Sequence, residues 1–386
     1  MTSSNTPMTE SRRAFAFRGV ILAATLLGMM ASLKLWLTAR TFPLLPWGGL
    51  PALPAPWDAV LLGGLWLALL LAVRFPRPAV VFFLIGSFFL YATDQNRGQP
   101  WFYLYWILLL LTLLPAATTL AAARFVLSAV YIWAGVQKCG PDFQRLVVPY
   151  LMQPVSHWFP PGLASLAQWL ISATPAVEIF IGVALWIPRL RRGAIALTIA
   201  VHAVALLVLG PLGHKYNAVV WPWNLAMVAL VVVLFPPVSF RESWRQLRRS
   251  LAGTVMVALV VLLPLLSYSG RWDSYFSFAL YSGNTATADL FITPALAERL
   301  PPELKPFAHP LHRDVVAANP ALNGLWIFDL QSWAQAELGV PPVPEPRSYV
   351  SAARGVARFA PGPADAQLLV QPRGGPTRVY RVEDLK

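Results

Sequence analysis

Long apolar segments alternate with short polar or proline-containing stretches over the first two thirds of the chain. Each segment approaches the roughly 20 apolar residues that span a bilayer. They predict nine transmembrane helices, at about residues 16–38, 57–73, 78–93, 101–116, 118–137, 163–187, 193–213, 217–235 and 250–267. The expected fold is an all-α polytopic membrane bundle of about nine transmembrane helices.

The pattern changes near residue 268, where hydropathy falls and alternation typical of strands begins. One hairpin is predicted from residues 275–281 and 288–293, and a second from 367–370 and 378–381. Short helices are predicted between them, at residues 327–337 and 345–354. The sequence therefore divides into a transmembrane helical domain, residues 1–267, and a small C-terminal α+β domain, residues 268–386.

The composition, 57% hydrophobic and 12% charged, also indicates a membrane protein whose partner is the lipid bilayer. Of the 30 Lys and Arg residues, 19 lie before residue 271, most of them in the loops between apolar segments. Their uneven placement, under the positive-inside rule, predicts a cytoplasmic N-terminus and a C-terminal domain outside the cytoplasm. Basic loops of this kind signal topology and argue against a nucleic-acid partner. Cys139 is the only cysteine, so no metal site is predicted.

Lys138 ends a long apolar helix and is followed by the helix-ending pair Gly140-Pro141. An amine taken out of water loses affinity for its proton, so such a lysine can act as a base. The alternative is a lysine that snorkels to the membrane interface. Lys138 is the candidate catalytic residue.

Three polar motifs are expected to converge on the outer side of the bundle. They are Asp94 to Tyr105, Lys138 to Trp158, and His214 to Asn217 with the following Trp221 to Asn224. Functional groups tend to gather on loops that a rigid scaffold positions. The substrate-binding candidates are Asp94, Arg97, Trp101, Tyr103, Tyr105, Trp158, Asn217 and Asn224. Two alternatives remain: the aromatic residues are interface anchors, and Arg97 merely pairs with Asp94.

Glu178 and His202 are ionisable residues within consecutive apolar segments. Each lies about 15 Å from the same membrane edge at 1.5 Å per residue. Because charged groups at that depth are costly and are usually paired or functional, we expect an intramembrane pair joined by a hydrogen bond. A structural clamp and a proton relay are equally compatible with the pattern.

Ala134-Gly-Val-Gln-Lys138, Phe102-Tyr-Leu-Tyr105, Asp94, Glu178 and His202 together resemble the transmembrane domain of the vitamin K-dependent gamma-glutamyl carboxylase family and its bacterial relatives. The likeness covers about residues 16–240. It also extends to the wider group of DoxX- and MauE-like membrane proteins. The resemblance implies a quinol or vitamin K-like lipid as cofactor and Lys138 as the base that deprotonates it.

Two departures limit what the resemblance implies. Trp101 stands where the family carboxylase has a histidine, and the large lumenal portion of that enzyme exceeds residues 268–386. These departures rank peptide carboxylation below quinol oxidation, and the enzymatic alternatives are a quinol-dependent oxidoreductase and a carboxylase-like lyase.

Three functions follow as hypotheses. The first is a quinol-linked oxidase or epoxidase-type enzyme with Lys138 as its base. The second is a non-enzymatic anchor or maturation factor that presents the C-terminal domain, through residues 345–354, to an envelope protein. Transport ranks last, because neither inverted repeats nor discontinuous helices are evident.

Overall fold

The structure is a computed structural model that describes residues 9–158, 160–215 and 217–385. The first part of the chain is helical: α1 Glu10–Ala31, α2 Leu33–Trp36, α3 Trp57–Leu71, α4 Pro76–Thr93, α5 Pro100–Leu111, α6 Ala116–Gln137, α7 Val148–Trp158, α8 Pro161–Ser172, α9 Thr174–Ala184, α10 Arg191–Leu209, α11 Val220–Leu234, α12 Phe240–Leu247 and α13 Leu251–Leu262. The last part is mixed: β1 Thr287–Ile292, α14 Pro294–Arg299, β2 Ala308–Pro310, α15 Arg313–Ala318, β3 Trp326–Phe328, α16 Leu330–Leu338, α17 Pro346–Ala357, β4 Ala366–Gln371, β5 Arg378–Arg381 and α18 Val382–Leu385. This order confirms a helical bundle followed by a small domain that contains a sheet.

All nine apolar segments contain helix, but they differ in their capacity to span a membrane. Five elements are long and apolar enough: α1, α4, α6, α10 and the continuous stretch Leu251–Ser269. A sixth span is formed if α8 and α9, bent by 51°, count as one. The break falls at Ala173, two residues before Pro175 in the first turn of α9, and proline cannot donate a backbone hydrogen bond. Helices α3, α5 and α11 are shorter, so nine full spans are not confirmed.

The bundle has two chemically different ends. Arginines gather where α1 begins, between α3 and α4, between α9 and α10, and on α12; we call this end the arginine side. The C-terminal domain lies at the opposite end, the sheet side. On the arginine side, Arg124 donates from Nε to the Leu234 carbonyl at 2.6 Å, and Arg191 donates from Nη2 to the Val238 carbonyl at 2.6 Å. These buried guanidinium groups donate hydrogen bonds to carbonyls at or just beyond helix C-termini, where no backbone N–H of the helix is available to them.

The C-terminal domain is built on an antiparallel five-stranded sheet with strand order β2-β3-β1-β4-β5. β4 and β5 form the second predicted hairpin, with Leu368 opposite Tyr380. The first predicted hairpin is wrong: only β1 is a strand, whereas Tyr275–Ser277 is a short 3-10 helix beneath the domain. The start of the predicted helix 327–337 is also wrong, because Trp326–Phe328 pairs with β1 and β2 before α16 begins.

The two domains are joined by side chains at the sheet side. Arg347, on α17, donates from Nε to Gln95 Oε1 at 2.9 Å and also binds the Asp273 carboxylate. Glu337 Oε2 accepts a hydrogen bond from the Thr41 backbone nitrogen at 2.7 Å. The buried face of α17 also packs within the domain core. Residues 345–354, expected to bind an external partner, therefore contact the protein's own bundle.

A candidate acid–base site at the end of α6

Two glycines allow α6 and α9 to pack closely. A Cβ on Gly135 would lie 2.5 Å from the Pro175 carbonyl oxygen, and a Cβ on Gly182 would lie 2.8 Å from the Ser128 carbonyl oxygen. The Ser128 hydroxyl also donates to the Gly182 carbonyl at 2.6 Å. Small residues let helix backbones approach in membrane proteins, where interhelical hydrogen bonds add to the packing. The close approach brings a carboxylate on α9 within reach of the end of α6.

That carboxylate belongs to Glu178 and it binds Lys138. The distance from Lys138 Nζ to Glu178 Oε2 is 2.8 Å, and the two side chains are 7% and 13% exposed. Lys138 Nζ also donates to the Ala134 carbonyl at 3.1 Å, so a cation caps the C-terminus of α6. At 2.8 Å the contact has the length of a charge-assisted hydrogen bond between an ammonium and a carboxylate. The Lys138 amine is therefore directed at Glu178 and is largely shielded from solvent.

His202 has other partners. Its Nε2 lies 2.8 Å from the Tyr131 hydroxyl, and its Nδ1 lies 2.6 Å from Asn224 Oδ1. The expected hydrogen bond between Glu178 and His202 is therefore wrong, because both ring nitrogens are already engaged and Glu178 binds Lys138. The structure thus holds two separate sets of polar contacts, Lys138 with Glu178 and His202 with Tyr131 and Asn224.

Tyr131 was missed by the sequence analysis although a signal for it exists. It precedes Lys138 by seven residues, or about two helical turns, which places both side chains on one face of α6. The ion pair and the chain of Tyr131, His202 and Asn224 together draw on α6, α9, α10 and α11. Asn224, predicted to contact substrate, instead orients the histidine.

The remaining polar candidates stabilise the fold. Asp94 is fully buried and accepts hydrogen bonds from the backbone nitrogens of Leu45 and Asn96, and it also binds Arg40. Arg97, 1% exposed, donates to the carbonyls of Leu35, Trp36 and Leu90. Its Nε lies 3.9 Å from Asp94, so the simple pairing alternative is correct in part. The hydrogen bonds of both residues go to the protein itself, which disfavours substrate binding.

The aromatic candidates on α5 pack against neighbouring rings. Trp101 lies against Gly28 on α1, and Tyr103 stacks on Phe276 with 4.6 Å between ring centres. Tyr105 contacts Trp223 on α11 at 5.9 Å. The Trp101 Nε1 and the Tyr105 hydroxyl are buried and have no hydrogen-bond partner among the described residues. These rings form part of the core of the bundle.

Trp158 and Asn217 lie apart from both sets of polar contacts. Trp158 is 38% exposed at the end of α7, consistent with the interface-anchor alternative. Asn217 Oδ1 accepts from the Val219 backbone nitrogen at 3.0 Å, just before α11. Tyr216, in the same motif, lies outside the described residues.

A cleft of about 290 Å³ opens beside the end of α6. It is lined by Val136, Cys139, Gly140, Pro141, Asp142, Tyr268, Ser282, Gly283 and Asn284. In sequence, Lys138 lies between the lining residues Val136 and Cys139. Its amine is nevertheless directed to Glu178. No cluster of three potential metal ligands occurs in the described part of the chain.

The chain thus forms a helical bundle of membrane character with an antiparallel sheet domain on one end and a buried ion pair below it. A scan against models of protein families, a search of curated proteins and a search of solved structures each found no match.

Proposed function

We propose that this protein is a membrane enzyme that deprotonates a lipid-soluble quinol through the Lys138–Glu178 pair. The observation that carries the proposal is a buried ammonium and carboxylate 2.8 Å apart at the end of a membrane helix, next to a second polar chain. The resemblance of Ala134 to Lys138 to the vitamin K-dependent carboxylase family supports the substrate class. Strongly coupled ionisable groups in a buried setting are typical of acid–base sites.

The geometry favours different roles for Lys138 and Glu178. Lys138 already carries a proton that Glu178 and the Ala134 carbonyl stabilise, so the carboxylate is the available proton acceptor. The ammonium would stabilise the phenolate oxygen as its negative charge develops, an effect that is larger in a site shielded from water. This assigns the base role to Glu178 and electrostatic stabilisation to Lys138, in place of the lysine base that the resemblance implies. The quinolate reacts with dioxygen more readily than the quinol, so oxygen consumption reports its formation.

Single and paired variants separate this proposal from a structural role. Breaking a buried ion pair by removing one partner costs about 3–5 kcal/mol, whereas replacing both partners by apolar residues is often neutral. We expect Lys138→Met and Glu178→Leu each to lose stability and quinol-dependent oxygen consumption. The double variant should regain stability but remain inactive.

The matched control is Lys34→Met. Lys34 is a second lysine on the sheet side, and its amine donates to the Ala336 carbonyl at 3.0 Å. This variant should consume oxygen at the wild-type rate. A double variant, Lys138→Met with Glu178→Leu, that is both stable and fully active would refute the enzymatic proposal.

The orientation is also proposed: the arginine side faces the cytoplasm and the sheet side faces the periplasm of a bacterial inner membrane. The distribution of arginines supports this assignment. Cys139, the only cysteine in the sequence, is exposed on the sheet side and serves as the reporter. A maleimide that cannot cross membranes should label it in cells whose outer membrane alone is permeabilised. Labelling only after the inner membrane is opened would reverse the orientation.

A second function, presentation of the C-terminal domain to an envelope protein, is favoured by a shallow groove of about 400 Å³ beside the edge strand β2. Its lining includes Pro310, Arg313 and Trp326. If this function holds, Trp326→Ala should abolish capture of the partner while the Lys138 and Glu178 double variant retains it. The reverse result would support the enzyme.

A further inference from the structure

The short helix α12, Phe240–Leu247, lies on the arginine side between two apolar helices. Five residues separate it from the end of α11, and three residues separate it from α13, where the apolar stretch Leu251–Ser269 begins. At 1.5 Å per residue α12 is about 12 Å long, too short to cross the roughly 30 Å of bilayer hydrocarbon. The short connections therefore hold α12 at the membrane surface, beside the ends of both helices.

The face of α12 that packs against the bundle is fixed by two buried residues. Ser243 and Leu247, one helical turn apart, are both buried. Arg124, buried on α6, donates from Nη1 to the Ser243 hydroxyl at 3.3 Å. Because its Nε also donates to the carbonyl of Leu234, the last residue of α11, Arg124 ties α12 to both helices. The remaining sides of α12 face outward.

One outward side of α12 is apolar. Phe240 and Trp244, one turn apart, contact the Phe125 ring with 5.4 Å and 6.0 Å between ring centres. Even so, Phe240 is 50% exposed and Trp244 is 39% exposed. We call Phe240 and Trp244 the apolar flank. Aromatic side chains left open at this level of a membrane protein lie against lipid.

The next side of α12 is basic. Arg241, Arg245, Arg248 and Arg249 are all exposed, whereas Glu242 is the only acidic residue at positions 235–250. Glu242 binds Arg245 and so neutralises one of the four charges. The other three arginines, which we call the basic face, form no ion pair with the described residues. At 3.6 residues per turn, Arg241 and Arg248 lie on one side of the helix, next to the apolar flank.

The neighbouring loop adds to this positive charge. Arg191 Nη2 donates to the Val238 carbonyl at 2.6 Å, which joins the α9–α10 connection to the α11–α12 connection. Arg189 and Arg192, close to Arg191 in sequence, are exposed. Residues 185–192 contain three arginines and no acid, and residues 235–250 contain four arginines and one acid. This excess of cationic groups favours a negatively charged partner.

We propose that α12 and the two arginines after it bind anionic phospholipids of the leaflet on the arginine side. The inference is independent of the acid–base function, since it rests on the opposite end of the bundle. The acyl chains cover the apolar flank, and the phosphate oxygens accept hydrogen bonds from the basic face. Arg248 joins the two parts, because its guanidinium lies 5.6 Å from the centre of the Trp244 ring. Guanidinium groups bind phosphate through paired, charge-assisted hydrogen bonds.

The position of the apolar flank beside the basic face favours a lipid over a soluble anion. Free phosphate would neutralise the arginines but would leave Phe240 and Trp244 exposed to water. A phospholipid satisfies both sides, because its phosphate and its acyl chains meet at the level where α12 lies. Basic clusters next to a membrane helix are attracted to anionic lipid surfaces, and each arginine contributes a factor of about five in affinity.

Native mass spectrometry of the full chain in detergent micelles measures lipid affinity directly. The probes are phosphatidylglycerol and phosphatidylcholine with the same acyl chains. Wild type should bind phosphatidylglycerol about 100-fold more tightly, from roughly fivefold for each arginine of the basic face. The variant Arg241→Gln, Arg248→Gln, Arg249→Gln should bind both lipids alike. Trp244→Ala should instead weaken the binding of both lipids by a similar factor, because it removes apolar surface and no charge.

The matched control is the triple variant Arg354→Gln, Arg378→Gln, Arg381→Gln. It removes three exposed arginines from the C-terminal domain and should keep the wild-type preference. Equal affinity of wild type for the two lipids would overturn the proposal, as would a preference retained by the basic-face variant. Displacement of bound phosphatidylglycerol by equimolar inorganic phosphate or polyglutamate would assign the arginines to a soluble anion or an acidic protein, and would also overturn it.

Discussion

Gly135 controls the separation of α6 and α9, and replacing it by alanine tests whether close packing sets the ion pair. The added Cβ would lie 2.5 Å from the Pro175 carbonyl oxygen and 3.0 Å from the Ile179 backbone nitrogen. Both are backbone atoms, which cannot move aside as a flexible side chain would. The shortest contact is roughly 1 Å inside ordinary van der Waals distance, so α9 must shift by about that much.

The cost follows from the clash and from the ion pair. Overpacking of this kind costs about 1–3 kcal/mol. Lengthening the separation of Lys138 and Glu178 from 2.8 Å by about 1 Å weakens their attraction by about 1–2 kcal/mol at an effective dielectric of 20. Alanine regains about 1 kcal/mol of helix propensity. We therefore expect Gly135→Ala to lose about 2–3 kcal/mol of unfolding free energy.

The assay is unfolding of the purified protein by sodium dodecyl sulfate in mild-detergent micelles, followed by circular dichroism. Gly193→Ala on α10 is the matched control, because a Cβ at that glycine has no atom within 4 Å. It should be neutral or stabilising by at most about 1 kcal/mol. A Gly135→Ala protein as stable as the Gly193→Ala protein would refute the packing argument.

Three further predictions concern the domain contact and the arginine side. Arg347→Gln should loosen the C-terminal domain, because the contact of Arg347 with Gln95 bridges the two domains and its ion pair with Asp273 holds the guanidinium in place; faster hydrogen exchange in residues 287–381 measures this. Burial, followed by the charge of Asp273, raises the pKa of Glu345 above its ordinary 4.5. Its contribution to stability should therefore be fully present below about pH 4 and be lost as the pH rises through the raised pKa. Thermal unfolding of Glu345→Gln should lack this loss. Arg124→Gln should cost about 1–3 kcal/mol in the same detergent titration, since the Leu234 carbonyl loses a charged donor.

The hydrophobic pattern predicted the helical bundle well. Whether a helix is buried in lipid or in the protein core depends on the composition of the whole segment, which the sequence shows directly. It placed a helix in each of the nine apolar stretches. It did not predict the bend between α8 and α9, because length and hydropathy ignore the missing backbone donor of Pro175. It also treated Tyr275–Ser277 as strand, since aromatic residues are common both in strands and in the buried turn that the structure contains.

Four residues of the site were predicted from the sequence, but Tyr131 and the pairings were not. Glu178 and His202 were selected because ionisable groups are rare in apolar helices, Lys138 because it ends one, and Asn224 because it belongs to a polar motif expected on the outer side. Glu178 and His202 were expected to form a hydrogen bond because they lie at similar depths in the membrane. The partner of a side chain also depends on which faces of the helices are in contact. The close approach at Gly135 turns Glu178 toward Lys138, and no helix depth calculation contains that information.

The C-terminal domain has a structural connection to the same helix end. Gln137, the residue before Lys138, accepts hydrogen bonds at Oε1 from Asn284 at 3.1 Å and from Arg373 at 2.8 Å. Its Nε2 donates to the Ser277 carbonyl at 3.3 Å. The last turn of α6 is thus held by α9 through Lys138 and by the polypeptide beyond α13 through Gln137. Displacing Gln137 would move Lys138, the next residue. The contact between the C-terminal domain and the bundle therefore helps to set the geometry of the Lys138–Glu178 ion pair.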